Sequence, residues 1–239
     1  MKVFDVPSPN FDARTAPPDM IVLHYTGMQT GAAALARLTD PQAQVSAHWM
    51  IEEDGGVFAL VPEARRAWHA GKAFWRGATD INSISVGVEL VNPGHEFGYR
   101  AFPPAQIRAL ITLLGDIRSR WTIGDARILG HSDIAPDRKE DPGELFPWKA
   151  LAEEGHGLWA EPAPAPGAPL AEGDEGPAVF ALEAGLNRLG YDCPPSGRYG
   201  ATTRTAVRAF QRHWLQSRID GVADGATRAR LMALLRMAR

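Results

Sequence analysis

Met20-Ile-Val-Leu-His-Tyr25, closed by Thr26-Gly27, is a short apolar run that ends on a histidine. A continuous apolar stretch of this length, stopped by turn residues, predicts a strand buried inside a sheet. The same reading repeats along the chain. Ile84-Ser-Val-Gly-Val-Glu-Leu-Val91 alternates and is β-branched, which predicts a second strand, and Arg127-Ile-Leu-Gly-His131 predicts another. Val45 to Ile51 and Val57 to Val61 flank Glu52-Glu-Asp-Gly-Gly56, the pattern of a β-hairpin with glycines at its turn. Ala32 to Leu38 predicts a short helix ended by Asp40-Pro41. Pro103-Pro104 opens a longer one to about Arg120, with Ile107, Leu110, Ile111, Leu114 and Ile117 on one face. Ser132 to Pro147 reads as a long polar loop. Strands and helices interleaved in this order predict an α/β domain, a mixed central β-sheet flanked by helices.

Glu161-Pro-Ala-Pro-Ala-Pro-Gly-Ala-Pro169 marks a break. Alternating proline continues neither a helix nor a sheet ladder and favours an extended spacer. The division read from it is residues 1–155 as one domain, 156–173 as linker and 174–239 as a small all-α domain of three helices. Val179, Leu182, Leu186 and Leu189 share the face of the first, which Gly190 ends. Ala206, Val207, Phe210 and Trp214 point inward from the second, over Thr203 to Trp214, and Thr227 to Met237 forms the third. The phrases at Gly197 to Thr203 and Gly221 to Thr227 echo each other, each placing a turn and a threonine cap before a helix. The spacer predicts few contacts between the two domains.

Composition narrows the function classes. The 239 residues carry 25 basic and 28 acidic side chains, a formal charge of −3, which does not suggest a nucleic-acid partner. No apolar run reaches the roughly 18 residues of a membrane span. Met1 to Pro7 has one lysine and no apolar run behind it, so no secretory signal is predicted. Cys193 stands alone, which leaves any metal site to histidine and carboxylate.

Of seven histidines, His24 and His131 end predicted strands, and strand ends of an α/β sheet are where catalytic groups gather. The segment after His131 supplies Asp133, Asp137, Lys139, Glu140 and Asp141. Two histidines and one carboxylate, with a fourth position open, is the pattern of catalytic zinc. Residue chemistry alone chooses neither Asp141 over Asp133 or Asp137, nor His24 over His48 or His69.

Longer motifs then become recognisable. Ile21-Val-Leu-His-Tyr-Thr-Gly27, Trp68-His-Ala-Gly71, Trp75-Arg-Gly77, Ser85-Val-Gly-Val-Glu-Leu90 and Gly130-His-Ser-Asp-Ile-Ala-Pro-Asp-Arg-Lys-Glu-Asp-Pro-Gly143 resemble the zinc N-acetylmuramoyl-L-alanine amidases of type 2. That family is related to phage lysozyme-type amidases and animal peptidoglycan recognition proteins. The resemblance implies a Zn2+ site on His24, His131 and Asp141. It implies catalytic roles for Glu89, as acid and base, and for Lys139, at the oxyanion. It implies hydrolysis of the amide between N-acetylmuramic acid, or its anhydro form, and L-alanine, with peptidoglycan or muropeptides as partner. His48, His69, Arg76 and Asn82 are read as substrate-side or supporting groups, and His95, His156 and His213 as solvated. Leu186-Asn-Arg-Leu-Gly-Tyr191, Ala206-Val-Arg-Ala-Phe-Gln211 and Asp220-Gly-Val-Ala-Asp224 resemble a three-helix peptidoglycan-binding module. The substrate favours the cell envelope or periplasm, while the missing signal leaves the cytoplasm open. No protein partner is read from the sequence.

Two rivals remain at this stage. A non-catalytic recognition protein on the same fold would lack part of the ligand set. A zinc peptidase would carry His-Glu-x-x-His on a helix, which is absent.

Overall fold

A computed structural model describes residues 2–238; residues 1 and 239, the outermost positions of the two expected domains, lie outside it. The first part of the chain forms β1 (Val3–Asp5), β2 (Phe11–Ala13), β3 (Met20–Tyr25), α1 (Gly31–Thr39), β4 (Trp49–Ile51), β5 (Val57–Ala59) and β6 (Arg65–Ala67). It continues through α2 (Ile81–Ile84), β7 (Ser85–Leu90), α3 (Gly94–Phe97), α4 (Pro104–Arg120), β8 (Ile128–Gly130), α5 (His131–Ile134) and α6 (Trp148–Glu153). The last part contains α7 (Pro177–Leu189), α8 (Ala201–Trp214) and α9 (Gly225–Met237). None of these helices is long and apolar enough to cross a membrane.

Six strands form one sheet in the order β1-β5-β4-β7-β3-β8, while β2 and β6 pair separately. Only β4 and β5 run antiparallel in the large sheet, as the hairpin pattern requires; every other pair is parallel. The sheet is mixed and carries helices, as expected. Alternation along β3 sends Ile21 and Leu23 to one core and Met20 and Val22 to another. The first core is closed by Leu110, Leu113, Leu114 and Ile117 of α4. Gln106 of that helix donates to the carbonyls of Ile51 and Val91 and pins it to the sheet.

The second core overturns the expectation of few contacts between domains. Met20, Val22, Trp75, Ile81, Leu129 and Ile134 share one buried cluster with Leu186, Tyr191, Phe210 and Leu231 of the helical part. The Pro/Ala segment is extended but tied down. The Ala165 and Leu170 amides donate to the Gly225 and Ala223 carbonyls, and Arg228 donates to the carbonyls of Pro166 and Gly167. A proline-rich stretch keeps its carbonyl acceptors, so it docks along a partner even where it cannot form a ladder.

Local corrections follow from polar side chains. The Val45–Ile51 strand starts only at Trp49, because Ser46 bonds to Asn10 and to the Trp68 backbone instead of a strand neighbour. The expected polar loop at 132 opens with the buried turn α5, whose Asp133 accepts from the Gly130 amide at 2.8 Å. The cap of α9 is Asp224, accepting from the Thr227 amide, and Thr227 lies inside the helix. Thr203 is also internal, its hydroxyl given to Glu183 at 2.7 Å.

Candidate metal centre

His24 lies on the last full turn of pleat in β3, and the parallel register sets it beside Glu89 of β7. Paired residues on neighbouring strands project to the same face, so both side chains enter one space. His131 begins α5, and Asp141 arrives from the following loop. Nδ1 of His24, Nδ1 of His131 and Oδ2 of Asp141 converge at 3.0 to 3.1 Å from one another. All three residues are buried, and they are a group able to hold a metal ion.

Each imidazole is fixed from behind. His131 Nε2 donates to the Ala70 carbonyl at 3.1 Å. That assignment leaves the Nδ1 lone pair facing the cradle. His24 Nε2 lies 3.0 Å from His69 Nδ1, His69 Nε2 lies 3.2 Å from the Ser85 hydroxyl, and that hydroxyl donates to the Ile81 carbonyl at 2.6 Å. The serine's proton is committed at the end of the chain, so the direction is set: Ser85 accepts from His69, and His69 accepts from His24. Partners of this kind orient metal-ligating histidines. The His69 ring needs Gly87 beneath it, since a Cβ there would sit 2.4 Å from the ring.

Burial is the main reason that His24 is lowered to about 4 and His69 well below its usual value, with the charge of neighbouring imidazoles adding to it. Both rings are therefore neutral near pH 7, as ligands must be. Burial alone would raise Asp141, but the adjacent His131 and His24 outweigh it and hold the carboxyl well below its ordinary range. Glu89 goes the other way. Burial, then the Asp141 charge, hold it well above the usual carboxylate value, with Lys139 opposing. The residue as a whole is partly open to the cleft, yet its Oε2 is buried without a partner.

A cleft of about 510 Å³ opens over these groups, with Glu89 and His69 on the sheet side and Lys139 and Asp141 on the loop side. Lys139 and Asp141, two residues apart on the loop, both face into this cleft. His95, read as solvated, stands on the cleft wall, stacked on Tyr99 at 4.3 Å with the Tyr25 hydroxyl 3.0 Å from its Nδ1. Gly94 permits the approach of Tyr25, whose ring a Cβ there would meet at 2.6 Å.

Residues 14–144 match the family described as N-acetylmuramoyl-L-alanine amidase, more than half of the chain. The chain belongs to that amidase family. Residues 175–231 of this amidase match a family described as putative peptidoglycan binding domain. The N-acetylmuramoyl-L-alanine amidase AmiD of Escherichia coli is 38% identical over 236 residues, covering 90% of this chain and 82% of that protein. The 1,6-anhydro-N-acetylmuramyl-L-alanine amidase AmpD of Escherichia coli is 36% identical over 166 residues, 60% of this chain and 86% of that protein. The structure of AmiD with anhydro-N-acetylmuramic acid-L-Ala-D-gamma-Glu-L-Lys superposes with a TM-score of 0.78 at 37% identity, covering 95% of this chain and 92% of that one. AmpDh3 of Pseudomonas aeruginosa, in complex with anhydromuramic pentapeptide, gives 0.75 at 30% identity, with 93% of both chains covered.

Three residues of the amidase expected near substrate lie elsewhere. Arg76 reaches into the helical part, its Nε and its amide donating to the Leu189 and Gly190 carbonyls. Asn82 is buried and accepts from the His69 and Ala70 amides, fixing the loop whose Ala70 carbonyl holds His131. His48 is fully buried, accepting from the Gly87 amide and contacting Arg14. His213, read as solvated, is 2% exposed, between the Trp148 and Trp214 rings at 3.6 and 3.7 Å. His156 is likewise buried, against Arg118. Charge and hydrogen-bonding capacity make each of these look surface-bound in sequence; only the distant partners reveal otherwise.

Proposed function

We propose that this amidase holds one zinc ion on His24, His131 and Asp141. With it the enzyme hydrolyses the amide between N-acetylmuramic acid, or its anhydro form, and L-alanine of the peptidoglycan stem peptide. The observation that carries the reading is the three-atom cradle beside Glu89, whose Oε2 is buried with no hydrogen-bond partner. Two imidazoles and one carboxylate are a donor set of catalytic zinc. Zinc–ligand bonds of about 2.0–2.1 Å in tetrahedral array place ligand atoms roughly 3.3 Å apart, close to the spacing here. Zinc bound there supplies a water of lowered pKa and a Lewis acid for the scissile carbonyl.

The chain's own groups do the rest. Glu89 takes the proton of the attacking water and returns it to the leaving amine, and its raised pKa suits a group that must both accept and donate. Lys139 offers its ammonium to the carbonyl oxygen as negative charge builds there. His69 keeps the His24 ring in one tautomer. AmiD and AmpDh3 were solved with anhydromuramic peptides, which supports a substrate of that class for this cleft. Residues 1–155 are assigned the catalysis, 156–173 the connection and 174–239 the recognition of wall polymer.

Metal analysis of the purified chain and mass spectrometry of digested anhydro-muropeptides test this reading. It expects one zinc per chain, and a free stem peptide beginning at L-alanine. Absence of zinc, or cleavage within the peptide, overturns it.

A further inference from the structure

We propose that the helical domain completes the metal centre, with Tyr191 and His213 as positioning residues that hold Asp133 and, through it, the turn presenting His131. The inference rests on the reading of His131 as a zinc ligand. Asp133 is 1% exposed and two residues from His131. Its carboxylate accepts three hydrogen bonds: Tyr191 Oη at 2.6 Å, His213 Nδ1 at 2.7 Å and the Gly130 amide at 2.8 Å. Two of those three donors come from the helical domain.

Neither donor is free to turn away. His213 is held between Trp148 and Trp214, and Tyr191 packs its ring edge against Trp75 at 5.0 Å. A buried carboxylate that loses a donor bears a desolvation cost it must relieve by moving. The groups that would move with Asp133 are Gly130 and His131. Ligand distances in a metal site are held to within about 0.2 Å, so a small rotation of this turn is felt at the metal.

The same helix fixes the second ligand segment. Arg212 of α8 donates to Glu140 at 2.9 Å, beside Asp141. Gln216, just past the helix, donates to the carbonyls of Glu144 and Phe146, each at 2.7 Å. The turn bearing His131 and the loop bearing Asp141 therefore both lean on α8 and its C-terminal end. Only His24 is presented by the sheet alone.

The test uses full-length chain and reads zinc affinity by chelator competition. Tyr191→Phe removes one oxygen, and His213→Phe keeps a ring for stacking while removing the donor. Each is expected to weaken zinc about tenfold, the lower end for groups behind metal ligands, and to shift the visible spectrum of the cobalt-substituted protein. His213→Asn, which can restore a donor near the Nδ1 position, is expected to recover most of the affinity. Leu234→Ala, in the buried core of the helical domain, is expected to lower the melting temperature without weakening zinc below its transition. Zinc held within twofold of the parent by both Tyr191→Phe and His213→Phe overturns this inference alone. Equal weakening by Leu234→Ala reduces it to general destabilisation and also overturns it. A parent chain without zinc removes the proposed function and this inference together. Should His213→Phe fail to fold, Tyr191→Phe decides.

Discussion

The two faces of β3 are covered by different parts of the chain. Ile21 and Leu23 pack in a core that α4 closes, within the stretch matched to the amidase family. Met20 and Val22 lie in a core shared with Leu186, Phe210 and Leu231, in or near the stretch matched to the peptidoglycan-binding family. The α4 face is chiefly packing, with Tyr25 at its edge on the cleft wall. The other face carries His24, His69 over Gly87, and Glu89, by strand alternation and register. A strand apolar on both sides needs two covers, and here the second cover also adjoins the chemistry.

The largest expected effect comes from stripping that second face. Truncation after residue 160 exposes Met20, Val22, Trp75 and Ile134, so the fragment should be insoluble or unfolded, by expression yield and circular dichroism. A soluble, zinc-loaded fragment would show that the second cover is dispensable and that the two domains make few contacts.

Next in size, Glu89→Ala on the chemical face should reduce kcat a hundredfold or more with zinc content retained. Lys139→Ala should show a smaller loss in the same assay. Turnover within a few-fold of the parent would remove Glu89 from its role. On the packing face, Leu110→Ala deletes a fully buried side chain and should cost about 2–5 kcal/mol in urea unfolding, while kcat per folded molecule stays unchanged. A loss of kcat there would mean the two faces are not separable.

The smallest effects are in pH, and two carboxyls should show opposite signs. Burial would raise Glu63, but hydrogen bonds from Arg120, Trp121 and Trp49 more than offset it and lower its pKa. Its stabilisation is therefore present above the unfolded value near 4.5 and is lost as pH falls through the lower folded value. Glu63→Gln should destabilise by about 1 kcal/mol at pH 6 and converge with the parent in acid. Glu89 is raised, so in metal-free protein its ionisation opposes folding as pH rises above 4.5. Metal-free Glu89→Gln should melt higher than metal-free parent at neutral pH and equally below about pH 4. Parallel pH curves would show that the burial of Glu89 is not felt as argued.

What could be read in the sequence was local. The apolar run ending in His24, the alternation through Glu89 and the two-residue spacing of Lys139 and Asp141 each specify a direction by chain geometry alone. The longer motifs then singled out His131 and Asp141 from their neighbours. What escaped reading was long-range. Asp133 was one carboxylate among several until Tyr191 and His213 arrived, 58 and 80 residues away. Arg76 and Asn82 were polar residues near a motif, and nothing local says that one ties two domains and the other holds a loop. Strand β1 was missed because its three residues are exposed and owe their conformation to pairing with β5.

The shared core has a consequence for the order of events during synthesis. Contacts that join residues near the beginning of a chain to residues near its end close large loops and form slowly. The buried cluster that holds Met20 and Val22 also takes in Phe210 of α8, so it is complete only after that helix has been made. The nascent enzyme thus carries an uncovered sheet face, and an Asp133 lacking two of its three donors, until Tyr191 and α8 have been synthesised. Pulse proteolysis of stalled chains should show the sheet remaining susceptible to cleavage until α8 has emerged.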